Sequence, residues 1–364
     1  MHRNRRYEDG HERADVVEYR KQFLKLLEKY EQFMRKYDGE TCVPLPLDLP
    51  PGAREIVAAF HDESCFHAND RKKQLWLTES QQVLRQKSRG RLVHASDFIA
   101  EVKTQMSLHE SEQLESFDAR TIIHPGKNGD GYWDMKQLLE QVNKQMLFIF
   151  DRSSTHCSFA ADALNAKKMN VNPGGKQPKM HATQIPMNNP NTQLQGTYQS
   201  MVFPEDHPNN PGEAKGMEAV LKERGLLDTE VDSSRGNVYC CMERCLVNQQ
   251  DFRLEKPLMQ LEIEAAGHLC LFLPKFHCEL NPIEITTKFR EQCDGTFPRA
   301  KILVPECLDS CPLVTIRRFF RRSWRYADAY RNGLTGKMAD FAVKKYTSHR
   351  RIGTRIMTEL DMLT

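Results

Sequence analysis

Three short apolar runs that end at or near an acid constrain this chain more than any other feature. Residues 146–150 read Met-Leu-Phe-Ile-Phe and run straight into Asp151. Residues 55–60 read Glu-Ile-Val-Ala-Ala-Phe and meet His61-Asp62, and residues 268–273 read His-Leu-Cys-Leu-Phe-Leu, with Glu284 eleven positions later. Apolar runs of this length predict strands buried on both faces of a sheet. Such strands disfavour carboxylates unless the charge is paired or binds a cation. Taken singly, Asp62 reads as a turn residue and Glu284 as a glutamate favoured by a helix N-terminus. Taken together, acids at the ends of neighbouring strands and at an adjoining helix start can converge on one point. An oxygen-rich cluster of that kind suits Mg2+ or Mn2+. Two such ions about 3.5–4 Å apart support phosphodiester chemistry.

The rest of the pattern predicts an α/β protein in five segments: 1–50, 51–170, 171–250, 251–295 and 296–364. In the first, apolar residues at three- and four-residue spacing predict a helix over 11–37, closed by the Pro-rich stretch Pro44 to Pro51. In the second, strands are expected at 55–60, 74–78, 91–98 and 146–150, with helices at 133–144 and 158–169. The third changes character: residues 171–215 are rich in Pro, Asn, Gly and Gln and lose periodicity, which predicts an excursion with little regular structure. Helices are expected at 217–224 and 238–248. In the fourth, a helix from Pro257 to Gly267 leads into the strand 268–273, and Asn281-Pro282 predicts a helix start.

No apolar run approaches the ~18–20 residues of a membrane span, and Met1 to Asp9 carry no apolar leader core. Eleven cysteines at irregular spacing predict free thiols and a reducing compartment. Cys240, Cys241 and Cys245, with Cys270, Cys278 and several histidines, leave a zinc site as a minor alternative to packed core cysteines. His61 and His156 flank the acids and read first as packing or hydrogen-bonding residues.

The overall charge is +3, but residues 316–355 carry twelve Lys/Arg against Asp328 and Asp340, a block of +10 that leaves the remainder at −7. Such a block predicts a polyanion partner or a solvated basic helix face. Within it, Phe320 and Trp324 are expected on an inner helical face and Arg318, Arg321, Arg322 and Arg325 on an outer face that meets phosphate. Lys87, Arg89 and Arg91 form a second candidate DNA contact on a hairpin.

The segments FHDESCFHANDRKKQLWL (60–77), LFIFDRSSTHCSFA (147–160) and LFLPKFHCELNPIE (271–284) resemble the three acid motifs of the mariner-like branch of the DDE transposase/integrase superfamily. YRKQFLKLLEKY, GYWDMKQLL and TIRRFFRRSWRYADAYRNGL are similar to a fungal-type subgroup of it. The resemblance runs from about residue 9 to near the end. It implies a ribonuclease-H-like fold: a mixed five-stranded sheet flanked by helices, with a large insertion before the last strand and a helical C-terminal tail. It further implies Mg2+- or Mn2+-dependent cleavage and transfer of DNA strands, with two ions held by Asp62, Asp151 and Glu284. DNA, as transposon ends and target, is the implied partner. A nuclear location follows from that substrate, and a homodimer is the assembly to test. The 133 positions from Asp151 to Glu284 exceed what one helix and one strand need, which predicts an insertion of roughly 95 residues between them.

The chain departs from the resemblance in three places. Arg152 stands where the family carries Asn. Glu284 is followed at once by Ile285-Thr286-Thr287-Lys288, which predicts a shortened helix. The residues ahead of position 11 are too few for the helix-turn-helix modules the family places first, so a separate DNA-binding domain is expected to be absent. These departures keep two alternatives in view: a catalytically inactive DNA-binding or interaction protein, and a nuclease that cuts without joining strands.

Overall fold

The computed structural model describes residues 8–70, 88–102, 121–123, 145–227, 238–282, 289 and 292–345. The expected strand 74–78 and helix 133–144 lie outside these residues, as do Lys87 and Glu284. The chain divides into two units, one formed by residues 1–153 and 263–364 and the other by Ser154–Glu262. Each is described by itself.

The first unit is built on five strands: β1 (Ile56–His67), β2 (Leu92–Ala100), β3 (Thr121–Ile123), β4 (Gln145–Phe150) and β5 (Leu269–Phe272). Their order is β3-β2-β1-β4-β5. β1 and β2 pair antiparallel from Ala59↔Ala100 to His67↔Leu92, and β3 continues antiparallel beyond β2. β4 lies parallel to β1, with Ile56↔Gln145 through Phe60↔Ile149, and β5 lies parallel to β4. The sheet is therefore mixed, with its most apolar strand at the centre of the parallel part. Leu147, Phe148, Ile149 and Phe150 are all fully buried, as a strand covered on both faces requires.

Side chains alternate across the sheet. One face carries Ile56, Ala58 and Phe60 from β1, Leu147 and Ile149 from β4, and Leu271 from β5. Against it pack α1 (Ala14–Glu31), α7 (Leu313–Arg331) and α8 (Gly336–Lys345), through Phe23, Leu27, Phe320, Trp324 and Ala342. Phe320 and Trp324 meet Phe60 edge-on at 5.2 and 6.2 Å, a favoured aromatic geometry. Further along the same face, Phe66, Val93 and Ala95 form a second cluster under α6 (Phe297–Asp309) and Phe289. The opposite face is aromatic: Phe98 contacts Phe148 and Phe150 at 5.5 and 5.8 Å, and His61 contacts Phe98 at 4.8 Å.

The second unit is mostly irregular, with α2 (Met217–Glu223), α3 (Val238–Val247), α4 (Gln250–Leu254) and the start of α5 (Leu258–Ala265). The compositional limits 171 and 250 fall inside it. A methionine-rich core (Met169, Met180, Met201, Met242) gathers around Val220 and Leu221. Side-chain amides replace most of a ladder: Gln177 Nε2 donates to the Gly174 carbonyl at 2.9 Å, and Asn189 Nδ2 to that of Arg224 at 3.0 Å. Arg224 is fully buried and forks onto Asp251 at 2.6 and 3.0 Å, with Gln199 Oε1 at 2.8 Å.

Two expectations differ from the structure here. The expected helix 158–169 is a series of turns ending in a single helical turn, Ala166–Lys168. Asn165 accepts from the Lys167 amide at 3.1 Å, and such a local bond competes with continued helix. The helix expected to reach residue 37 stops at Glu31, because Tyr37-Asp38 pair with Val43-Pro44 in a short hairpin.

Candidate functional site

Asp62 is not at the end of its strand, as its sequence setting suggested. β1 continues to His67, because β2 supplies backbone partners well past the last β4 pairing. Asp62 thus stands inside a strand, on the face that carries Ile56, Ala58 and Phe60 before it and Phe66 after it. The apolar lining of that face breaks at Asp62 and Ser64, between the two clusters.

Asp151 follows the last residue of β4. The parallel register ends at Phe60↔Ile149, and two positions further along both chains stand Asp62 and Asp151. By parity, Asp151 also follows Leu147 and Ile149 onto the same face. Each acid thus stands two positions beyond the last pair of two adjacent strands, although 89 positions separate them in sequence. Asp62 Oδ1 accepts from the Glu63 amide at 2.9 Å, and Asp151 Oδ1 from the Ser153 amide at 3.3 Å.

A further carboxylate, which sequence reading missed, lies beside Asp62. Asp97 in β2 is the direct partner of Asp62. All three aspartates are half-buried. Two like charges directly opposite on an antiparallel pair are unfavourable unless a cation or donors lie between them. The signal was present in the alternation Val93, Ala95, Asp97, Ile99, where an acid interrupts an inward-facing apolar series.

The residues that flank Glu284 in sequence are anchored around Asp62. Asn281 Nδ2 donates to the His61 carbonyl at 3.3 Å. Phe289 meets Phe66 at 5.1 Å, and Cys293 Sγ donates to the Ala68 carbonyl at 2.9 Å. Asn281 and Phe289 therefore sit on β1 at positions either side of Asp62.

The neighbouring residues take other roles. His61 is buried on the opposite face with Nε2 2.7 Å from Ser96 Oγ, and His156 is buried in the second unit. Glu63 is exposed and its carboxylate lies 3.5 Å from His94 Nε2, while Cys65 Sγ lies 3.6 Å from His94 Nδ1. Burial and the charges of Glu63 and Asp62 hold the Cys65 thiol above its ordinary value, so this row does not activate a thiolate. Arg152 is exposed and stacks on the Tyr19 ring at 4.2 Å, while the Tyr19 hydroxyl donates to the Phe272 carbonyl at 2.8 Å.

The basic helix is a partial correction. Arg318 and Arg322 are exposed, but Arg321 and Arg325 are buried. Arg321 Nη2 donates to the Gly39 carbonyl at 2.9 Å, and Arg317 to the carbonyls of Glu101 and Cys42 at 3.0 and 3.1 Å. The hairpin around Gly39 covers a second flank of α7, and its turn carbonyls need donors. Half of the expected outer face is thereby spent inside the fold. Arg89 and Arg91 are exposed beside the β1–β2 connection, with Arg91 over the Phe297 ring at 4.0 Å.

Among the described residues the cysteines do not gather; the side chains of Cys240 and Cys241 lie outside them. Among the described residues, the His, Cys, Asp and Glu side chains that converge closely enough to share an ion are His11, His277 and Glu279. Glu279 accepts from His11 Nε2 at 3.0 Å, His277 Nδ1 at 2.8 Å and the Tyr330 hydroxyl at 2.5 Å. Burial alone would raise its carboxyl; the bonds from His11 and His277 outweigh it and hold Glu279 far below the ordinary carboxylate range. Among the described residues, no helix is long and apolar enough to cross a membrane. Compared with known protein families, curated proteins and solved structures, the chain matches none.

Proposed function

We propose that the chain is the catalytic core of a mariner-like DDE transposase with a ribonuclease-H-like fold, which cleaves and transfers DNA strands with Mg2+ or Mn2+. The observation that carries this reading is that Asp62 and Asp151 each stand two positions beyond the Phe60↔Ile149 pair that ends the parallel register of β1 and β4, with Asp97 opposite Asp62. The mixed, partly parallel sheet supports this reading.

The donors suit the ions: half-buried carboxylates are the oxygen ligands that hard divalent cations take. Asp62 and Asp151 would hold them, with Glu284 as the third ligand that the resemblance implies. When bound, such ions supply activation of the attacking water or hydroxyl and stabilisation of the leaving oxygen. The chain's own part is placement. The Glu63 and Ser153 amides each hold one aspartate Oδ1. Of the cations expected to meet DNA, Arg89, Arg91, Arg318 and Arg322 are exposed among the described residues.

The test is divalent-ion-dependent nicking of DNA that carries terminal repeats. Asp62→Asn and Asp151→Asn should each abolish it, and unchanged nicking in both variants would remove the proposal. A second reading, a DNA-binding protein without catalysis, is favoured by Arg152, whose positive charge adjoins Asp151. Salt-sensitive DNA binding without cleavage by the unaltered protein would select it.

A further inference from the structure

The first unit holds a second convergence of donors whose chemistry differs from that of the aspartates. His11 ends the turn Glu8–His11, His277 and Glu279 lie in the turn that follows β5, and Tyr330 lies near the end of α7. His11, His277 and the Glu279 side chain are 4%, 2% and 4% exposed. Their candidate ligand atoms lie within 4.8 Å of one another. The hydrogen bonding is lopsided: one carboxylate oxygen of Glu279 faces three donors, while Oε2 is buried with no partner. A carboxylate has acceptor sites on both oxygens, and a buried oxygen left unpaired loses its hydration without return.

We propose that His11, His277 and Glu279 form a buried Zn2+ site, with the Tyr330 hydroxyl or a water in the fourth position. Two imidazole nitrogens and a carboxylate oxygen are a donor set zinc takes and magnesium, which prefers oxygen, does not. Tetrahedral ligands about 2.0–2.1 Å from zinc stand about 3.3 Å apart. The present N···O separations of 3.0 and 2.8 Å need to open by only a few tenths of an ångström. The outer shell is also in place: His11 Nδ1 lies 3.1 Å from Glu12 Oε1, and a carboxylate on the far nitrogen is the usual support of a ligating imidazole.

Loading has a definite proton balance. His11 keeps the proton on Nδ1, towards Glu12, and releases the one on Nε2. The proton of His277 Nδ1 passes to Nε2, so Arg20, now 3.3 Å from that nitrogen, turns wholly onto Glu12, which it already meets at 3.1 and 3.2 Å. The ion would then pin the N-terminal turn and α7 to the turn that ends at Asn281. Nothing in this inference depends on the aspartates holding an ion.

The test uses the full chain, stripped with a chelator and dialysed against Zn2+ in excess Mg2+. One equivalent of zinc should be retained and the melting temperature should rise by a few degrees. Both effects should be lost in His277→Gln and kept in Asp62→Asn, which separates this site from the carboxylate cluster. The Co2+-loaded protein should lack a thiolate-to-cobalt charge-transfer band, which separates it from the cysteines. Glu12→Gln keeps all three ligands and should weaken zinc about 10–100-fold, a readout that survives if His277→Gln does not fold. Failure of the unaltered protein to retain zinc, equal retention by a folded His277→Gln, undiminished affinity in Glu12→Gln, or a thiolate band would each overturn the proposal.

Discussion

Asp97 offers the sharpest test of the aspartate cluster, because its substitution should raise stability and lower function together. It is the direct cross-strand partner of Asp62, which places the two Cβ atoms about 4.5–5.5 Å apart. Two unit charges about 5 Å apart repel by ~0.8 kcal/mol in water and by ~3 kcal/mol at the effective dielectric of a protein surface. Both side chains are half-buried, so Asp97→Asn should stabilise the chelator-treated protein by about 1 kcal/mol. That is a rise of roughly 2–4 °C in melting temperature for a unit of this size. Divalent cations stabilise whatever folded state binds them, so added Mg2+ should raise the unaltered protein more than the variant and erase the difference. Nicking, where present, should fall in the same variant. The assay is thermal unfolding with chelator and with Mg2+, side by side. Destabilisation by Asp97→Asn in chelator, or an equal Mg2+ response in both proteins, would refute the claim that Asp97 repels Asp62 and that a cation at Asp62 relieves that repulsion.

In the second unit, Arg224→Met should cost about 3–5 kcal/mol in chemical denaturation, because it leaves Asp251 without its buried fork; a loss below about 1 kcal/mol would contradict that role. His181 provides a pH test. Burial alone would lower its imidazole, but the Ala182 carbonyl and Glu255 outweigh it and hold it above its ordinary value. Its contribution is therefore complete below the ordinary histidine range and lost as pH rises through the raised folded value. With His181 42% exposed, the amount is a few tenths of a kcal/mol, and His181→Gln should flatten that part of the stability–pH curve. Beside the β1–β2 connection, Arg89→Ala should leave melting nearly unchanged and lower the salt slope of DNA binding by about 1. Arg321→Ala should instead destabilise the protein by about 1–3 kcal/mol, since its donors serve the hairpin carbonyls.

The central strands were legible because their signal is local. Met146 to Phe150 are apolar without a break, and only a strand covered on both faces accommodates that. Gly267 after Ala265, at a φ of 81°, ends its helix where the sequence placed the stop, since a left-handed residue there favours glycine. The inner face of α7 was legible from the four-residue spacing of Phe320 and Trp324. Asn165 was not, because whether its amide bonds the backbone or extends a helix depends on what packs around it.

By itself, then, the sequence determined where the apolar strands β1, β4 and β5 lie and which edge of α7 is apolar. All of these follow from residue type and period over a few positions. Only the tertiary structure decided which strands are neighbours and in what register. It set Asp62 opposite Asp97, gathered His11, His277 and Glu279, and turned Arg321 and Arg325 inward. Those are contacts between positions far apart in the chain, set by how faces cover one another, and no local pattern encodes them.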